Sequence, residues 1–271
     1  MKLSIITINW NNADGLQKTI QSVVSQTFQD FEYVIIDGSS KDRSVEIIQH
    51  FAKQFPINWV SEPDKGIYNA MNKGIIRASG EYLHFLNSGD TLFDNQVVEK
   101  MIAQLEANNQ PDILIGRLHK HMLDGTIFPN PINTNFSFLR FYFNSINHPA
   151  TYIKKELFLK YGLYDESLKI VSDWKWFMQV IAFHNIKPTI TDVDVAIFDM
   201  TGISETNVSL RENERRKVLT ETVPSCYLQD YDYYANDILM MQRLHRHPWA
   251  FKLVRFLERC LFKYEKKIMK K

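Results

Sequence analysis

The chain has 271 residues, 45% hydrophobic and 23% charged, which suits a sizeable buried core and excludes a disordered, collagen-like or coiled-coil chain. Its 32 Lys/Arg nearly balance 31 Asp/Glu, a net charge of +1, so the molecule as a whole has no bulk attraction for nucleic acid. Residues 243–271 stand apart, with ten Lys/Arg against two Asp/Glu, and leave the remainder mildly acidic.

In chain order, the first half alternates two periodicities. Residues 3–8 form a β-branched run, and 15–25 carry Leu16, Ile20, Val23 and Val24 at helical spacing. Residues 33–36 predict a second strand and 45–55 a second helix, with Val45, Ile48 and Ala52 on one face. A strand at 57–60, a helix at 66–78, a strand at 82–86, a helix at 97–105 and a strand at 112–116 complete the series. This alternation predicts an α/β fold with a mostly parallel central sheet and helices on both faces. Such sheets bind ligands at the carboxyl ends of their strands. The polar clusters at 9–12, 37–40 and 87–90 all fall there.

The second half is less regular. Residues 119–128 predict a hairpin turning at Asp124-Gly125, 150–153 a short strand, 173–182 a helix and 190–198 a strand. From Leu210 onward the pattern is helical, broken at Pro224 and Pro248. One catalytic domain over 1–208 and a helical extension over 209–271 are therefore expected. Cys226 and Cys260 make no disulfide framework. The first residues lack the apolar core of a signal peptide, and no apolar run reaches the roughly 20 residues of a spanning helix. A reducing, cytoplasmic location is the expectation.

Several segments could carry chemistry. Asp37-Gly38-Ser39-Ser40 puts a carboxylate at a strand end, where it either accepts hydrogen bonds from a base or ribose or simply caps the next helix. In Asn87-Ser88-Gly89-Asp90, one Asp together with phosphate oxygens makes a normal shell for Mg²⁺; a Ser-Gly-Asp turn is the alternative. Glu62-Pro63-Asp64-Lys65-Gly66 leaves Asp64 or Lys65 free to face a ligand, or Asp64 to cap a helix. Asp173 and Trp174 open a helix as a general base and a sugar platform, or as a capping acid followed by core tryptophan. His148 sits beside Pro149, a setting more often structural than catalytic. No Gly-rich phosphate loop, GxSxG elbow or HExxH helix is present, which argues against Walker-type NTPases, α/β-hydrolases and zincins.

Taken together, the ordered series Ser4-Ile5-Ile6-Thr7-Ile8-Asn9-Trp10-Asn11-Asn12, Ile35-Ile36-Asp37-Gly38-Ser39-Ser40-Lys41-Asp42, Glu62-Pro63-Asp64-Lys65-Gly66-Ile67-Tyr68-Asn69-Ala70-Met71-Asn72-Lys73-Gly74 and Phe85-Leu86-Asn87-Ser88-Gly89-Asp90 resembles family 2 glycosyltransferases of the GT-A fold. The resemblance is to bacterial enzymes of capsule, exopolysaccharide and O-antigen assembly, densest over 1–115 and thinner to about Ser204. It implies a nucleotide-sugar-binding half over 1–115 and an acceptor-side half over 116–208. Thr7, Asn9 and Trp10 match the segment lining the nucleotide pocket, Asp37 the acid that contacts the base, and Asp64 a further donor-side acid. Asn87 and Ser88 are implied to bind the nucleotide sugar, and Asp90 matches the final Asp of the metal-binding motif, the ligand of a divalent Mg or Mn. Asp173 matches the catalytic base, with Trp174 beside it, and His148 a position near donor phosphates or acceptor. Ile36, Asn87, Gly89 and Ser172 depart from the family's more acidic pattern.

The resemblance implies inverting transfer from a nucleotide-diphosphate sugar, UDP favoured, to a hydroxyl on a glycan or lipid-linked glycan. A sugar-phosphate nucleotidyltransferase and a non-catalytic sugar-nucleotide binding subunit are the alternatives. Within 249–271, Leu253, Phe256, Leu257, Cys260, Leu261, Tyr264 and Ile268 form one helical stripe, with Arg255, Arg259, Lys263, Lys266, Lys267 and Lys270 mainly off it. Such a helix either lies on an anionic membrane, at the inner face of the plasma membrane, or packs its stripe on the body.

Overall fold

The computed structural model describes residues 2–268 apart from Leu123, Asn133 and the side chains of Ile203, Ser204 and Lys267. Lys270 and Lys271 of the basic tail lie outside the described residues, as do the side chains of Ser204 and Lys267. Strand β1 (Leu3–Asn9) is buried along its whole length. That continuous apolar run suits a strand covered on both faces by crossover helices. Helix α1 (Ala13–Val24) leads to β2 (Glu32–Asp37), α2 (Ser44–Ala52) to β3 (Ile57–Ser61), and α3 (Ile67–Arg77) to β4 (Tyr82–Phe85). Helix α1 starts ahead of the expected residue 15 because the Asn12 side chain accepts from Gly15 N–H at 3.2 Å and caps it.

Strands β1 to β4 are parallel and lie in the order β3-β2-β1-β4. The order reverses between β1 and β4, and an open α/β sheet binds ligand at such a switch point. Beyond β4 the sheet continues through β5 (Thr91–Leu92), α4 (Val97–Ala107), β6 (Ile113–His121) and β7 (Ile127–Pro129), the last two forming the expected hairpin. The strand expected at 112–116 and the first hairpin strand are thus one element, with its register broken between Ile115 and Arg117. Helix α5 (Phe138–Phe143), β8 (Thr151–Lys154), α6 (Lys155–Tyr161), α7 (Ser172–Phe177), β9 (Thr189–Asp199), α8 (Ile203–Thr206) and α9 (Val208–Thr222) follow. The helix expected over 173–182 is α only to Phe177, and Met178–Phe183 is π-helical.

The sheet lies wholly in a compact unit of residues 1–215, and residues 216–271 form a second unit. The second unit holds α10 (Ser225–His245) and α11 (Pro248–Ile268), which meet at the expected proline break. Among the described residues, no helix is long and apolar enough to cross a membrane.

Candidate active site

Parallel pairing alone aligns the strand ends. Asn9 lies opposite Asp37 in the β1–β2 register, and Asp37 opposite Ser61 in β2–β3. The Asp37 carboxylate is fully buried. Its Oδ1 accepts from Asn9 Nδ2 at 2.8 Å and Ser40 Oγ at 2.6 Å, and its Oδ2 from Ser61 Oγ at 2.6 Å and Ser40 N–H at 3.0 Å. These donors replace the water lost on burial, so Asp37 holds the three strand ends together with both oxygens engaged. The free acceptor beside it is Asn9 Oδ1, buried and without a partner among the described residues.

Trp10 follows directly and is 69% exposed. A Cβ on Gly38 would stand 2.4 Å from Asp64 Oδ2 and 3.2 Å from Trp10 Cδ1, so glycine is what lets Trp10, Asp64 and the β2 turn meet. On the other side of β1, Ser88 N–H donates to the Ile8 carbonyl at 3.1 Å and Ser88 Oγ to the Asn12 carbonyl at 3.2 Å. Asn87 Oδ1, in the same turn, is buried without a partner among the described residues. Thr19 of α1 donates to the Asp90 carbonyl at 2.6 Å and accepts from Gly89 N–H at 3.0 Å. Gly89 takes φ +107°, a region costly for any side chain. Asp37 and Asp90 therefore sit on one rim, linked through the turns after β1, β2 and β4.

Asp90 is buried, and β5, which it precedes, pairs antiparallel with β9 (Thr91 opposite Ile197). That pairing carries Asp199 to the site, where its N–H donates to Asp90 Oδ1 at 2.9 Å. Burial, and then the nearby Asp199 carboxylate, push the Asp90 carboxyl up to about 8. Neither acid has an ion-pair partner among the described residues. No group of three or more His, Cys, Asp or Glu gathers there to hold a metal, among the described residues. A buried acid with a second acid beside it and no cation fits a hard divalent ion that takes its other ligands from phosphate and water. Asp199 escaped the sequence reading, although it closes the strand expected at 190–198 and so obeys the rule that singled out Asp37 and Asp90.

Asp173 is half-buried in the first turn of α7. Its Oδ1 lies 2.7 Å from the hydroxyl of Tyr68, in the first turn of the helix that begins just after Asp64. Three expected site residues are placed otherwise. Thr7 is fully buried, its hydroxyl donating to the Leu86 carbonyl at 2.7 Å, so it staples β1 to the end of β4 and does not line a pocket. Trp174 is 2% exposed and spends its indole N–H on the Phe141 and Asn144 carbonyls, with Arg215 over its ring. It is a core residue, and no face is open to a sugar. His148 is boxed by Phe85, Phe177 and Tyr164, bonded to Tyr164 Oη at 3.0 Å, and held low by burial. His148 is thus enclosed by aromatic rings and bonded to Tyr164, which makes it part of the packing. An open cleft of about 520 Å³ on the flank of α1 and α2 contains none of Asp37, Asp90 and Asp173.

The α/β sheet thus carries a ligand-binding edge at its switch point, lined by acids. Residues 4–167 match the model described as glycosyl transferase family 2, and the chain belongs to that family. It is 32% identical over 204 residues to an uncharacterised glycosyltransferase of Mycobacterium tuberculosis, covering 74% of this chain and 76% of the other. It is 28% identical over 208 residues to a PGL/p-HBAD biosynthesis glycosyltransferase of Mycobacterium bovis, covering 76% and 80%. Among solved structures, S. aureus TarS 1-349 in complex with UDP-GlcNAc aligns with a TM-score of 0.62 at 18% identity, over 77% of this chain and 61% of that one. The Pyrobaculum calidifontis mannosyltransferase PcManGT with GDP-Man and Mn²⁺ aligns at 0.57 and 14%, over 73% and 56%.

Proposed function

We propose that this glycosyltransferase is an inverting enzyme that takes a nucleotide-diphosphate sugar, a UDP-sugar before others, and passes the sugar to a hydroxyl of a glycan or lipid-linked glycan. The observation that carries this reading is the shared rim: Asp37 ends β2, Asp64 and Asp90 stand in the turns after β3 and β4, and Tyr68 links to Asp173. The UDP-GlcNAc and GDP-Man complexes of the structural neighbours support a nucleotide-sugar donor.

In this reading Asn9 Oδ1 and Asn87 Oδ1 are acceptors waiting for donors of the nucleotide. Leaving one buried and unpaired costs about 1–3 kcal/mol. Exposed Trp10 and the Asp64 carboxylate flank the donor, with the Ser88 turn beside it. Asp90, with Asp199, would hold Mg²⁺ or Mn²⁺. A bound divalent ion there offsets charge on the departing diphosphate. Asp173 takes the proton as the acceptor hydroxyl attacks the anomeric carbon. In the same step the C–O bond to the diphosphate breaks with its electron pair on the leaving group, and this single displacement inverts that carbon. General-base action of this kind contributes about 10²–10⁴-fold.

The domain reading follows: 1–208 for transfer, split near 115 into donor and acceptor sides, and 209–271 as the extension. The exposed apolar stripe of α11, with Leu253, Phe256, Leu257, Leu261, Tyr264 and Ile268 all in solvent, supports docking of 249–271 on an anionic membrane from the cytoplasmic side. The test is a donor screen. UDP-glucose, UDP-galactose, UDP-N-acetylglucosamine and GDP-mannose are each assayed for thermal stabilisation and nucleotide release with Mn²⁺. Asp173→Asn should keep the stabilisation and lose at least a hundredfold in turnover. Equal turnover in that variant removes Asp173 as base. Stabilisation without turnover in the unsubstituted chain favours the binding subunit, and pyrophosphate release from a nucleoside triphosphate with a sugar phosphate favours the nucleotidyltransferase.

A further inference from the structure

Helix α3 turns a polar face toward residues 164–173. Tyr68 and Asn72 lie one turn apart on it, both buried. Asn72 Nδ2 donates to the Tyr164 carbonyl and to Glu166 Oε1, each at 2.9 Å, and its Oδ1 accepts from Tyr164 N–H at 3.0 Å. Asn69 Nδ2 donates to Glu166 Oε2 at 2.8 Å. These bonds strap residues 164–166 to α3, and Asp165 pairs with Lys175 of α7 at 2.6 Å. Tyr68 stands at the end of the strap. Its hydroxyl lies 2.7 Å from Asp173 Oδ1 and 2.6 Å from the Ile170 carbonyl oxygen. That carbonyl is itself held in place, because Glu214 accepts from Lys169 N–H at 2.7 Å and Ile170 N–H at 2.9 Å. A phenol has one proton, so it donates fully to one of these acceptors at a time.

We infer that Tyr68 is the positioning residue of Asp173, donating to its carboxylate at rest and turning that proton to the Ile170 carbonyl once Asp173 has itself been protonated. The inference rests on Asp173 being the general base. Its balance is simple. The acceptor's O–H proton moves to Asp173, the new carboxylic acid donates to the Tyr68 oxygen, and Tyr68 keeps its own proton throughout. Two rotations are needed, of the phenol O–H about its C–O bond and of the new carboxyl O–H toward Tyr68. Burial, then the Asp173 charge, hold the Tyr68 phenol well above its ordinary range, so it turns without ionising. The other groups that face Asp173 are Tyr164, held high, His148, held low, and Arg215. Tyr164 and His148 bond each other at 3.0 Å, and the Tyr68 hydroxyl bonds to Asp173 and the Ile170 carbonyl.

The test needs no substrate. In the full chain labelled with ¹³C at aspartate carboxyls, the Asp173 resonance is assigned by its loss in Asp173→Asn and followed against pH. In Tyr68→Phe it should titrate about one unit higher, a tenfold change, because the charged form has lost a donor. Asn72→Ala loosens the strap alone; it should lower Tm and leave the titration in place. An unmoved titration in Tyr68→Phe overturns the inference, and so does an equal shift in Asn72→Ala. Should Tyr68→Phe not fold, Tyr68→Met also lacks the hydroxyl and carries the same expectation. Turnover of Asp173→Asn tests the base separately, so loss of that reading is distinguishable from loss of the link to Tyr68.

Discussion

The main-chain N–H of Asp199 donates to the Asp90 carboxyl at 2.9 Å, joining the turn after β4 to the last residue of β9. That bond favours the charged form of Asp90, but burial outweighs it and the Asp199 carboxylate adds to the rise, so the rim acquires a group that changes charge near neutral pH.

The sign of the resulting pH dependence is set by Asp90, whose carboxyl stands at about 8 folded against an ordinary 3.8. The folded state holds a proton that the unfolded chain releases, so this contribution is complete below about pH 4 and is lost as pH rises to about 8. With divalent ions chelated, Tm should fall between pH 5 and pH 8 by more than in Asp90→Asn. Mn²⁺ must displace the same proton, so its affinity should rise about tenfold per pH unit across that range. Calorimetric titration at two pH values checks this, and a flat affinity contradicts it. Asp199→Asn should weaken Mn²⁺ binding about 10–100-fold.

Two tryptophans should separate cleanly. Trp174→Ala empties a core position and should cost about 3–5 kcal/mol of stability, with donor KM unchanged per folded molecule. Trp10→Ala removes an exposed ring and should leave Tm within about 1 °C while weakening donor stabilisation. Chemical denaturation beside donor-induced thermal shift reads both, and a stability loss for Trp10→Ala would place that ring in the core.

Glycine positions make a second contrast. Ala at Gly38 meets the end of a movable side chain, Asp64 Oδ2 at 2.4 Å, so it should push Asp64 aside and weaken donor binding several-fold at little cost in stability. Ala at Gly80 meets the Ser4 backbone nitrogen at 2.6 Å, which cannot give without moving β1. Gly80→Ala should therefore lose at least about 1–3 kcal/mol. Equal thermal stability of the two variants would refute this reading.

The C-terminal helix is tested by vesicle flotation. Its apolar stripe is exposed, so chains truncated before Trp249 should fail to float with phosphatidylglycerol vesicles. The full chain should float with these and not with neutral phosphatidylcholine at physiological salt. Unchanged binding after truncation would remove the membrane reading.

Much of residues 1–115 is legible from sequence alone. The β1 to β4 alternation, the turns at Asp37 and Asp90 and the proline breaks at Pro224 and Pro248 all follow from local period and turn chemistry. Asp37 and Asp90 fall in the polar clusters that follow strand-like runs, and a parallel sheet brings strand ends to one edge. Thr7, His148 and Trp174 are polar or aromatic residues near motifs that the fold uses inside. Asp199 carries the same strand-end signal at the end of β9, whereas Tyr68 and Asn72 carry none, because each works through a partner far along the chain.

What the sequence determined alone was the order of elements and the edge on which the acids collect, since hydrophobic spacing and turn residues act over a few neighbours. Only the tertiary structure decided which of those polar groups stay free. Whether a carboxylate is saturated like Asp37, protonated like Asp90 or held by a rotating hydroxyl like Asp173 depends on burial and on partners that only the folded sheet brings within 3 Å.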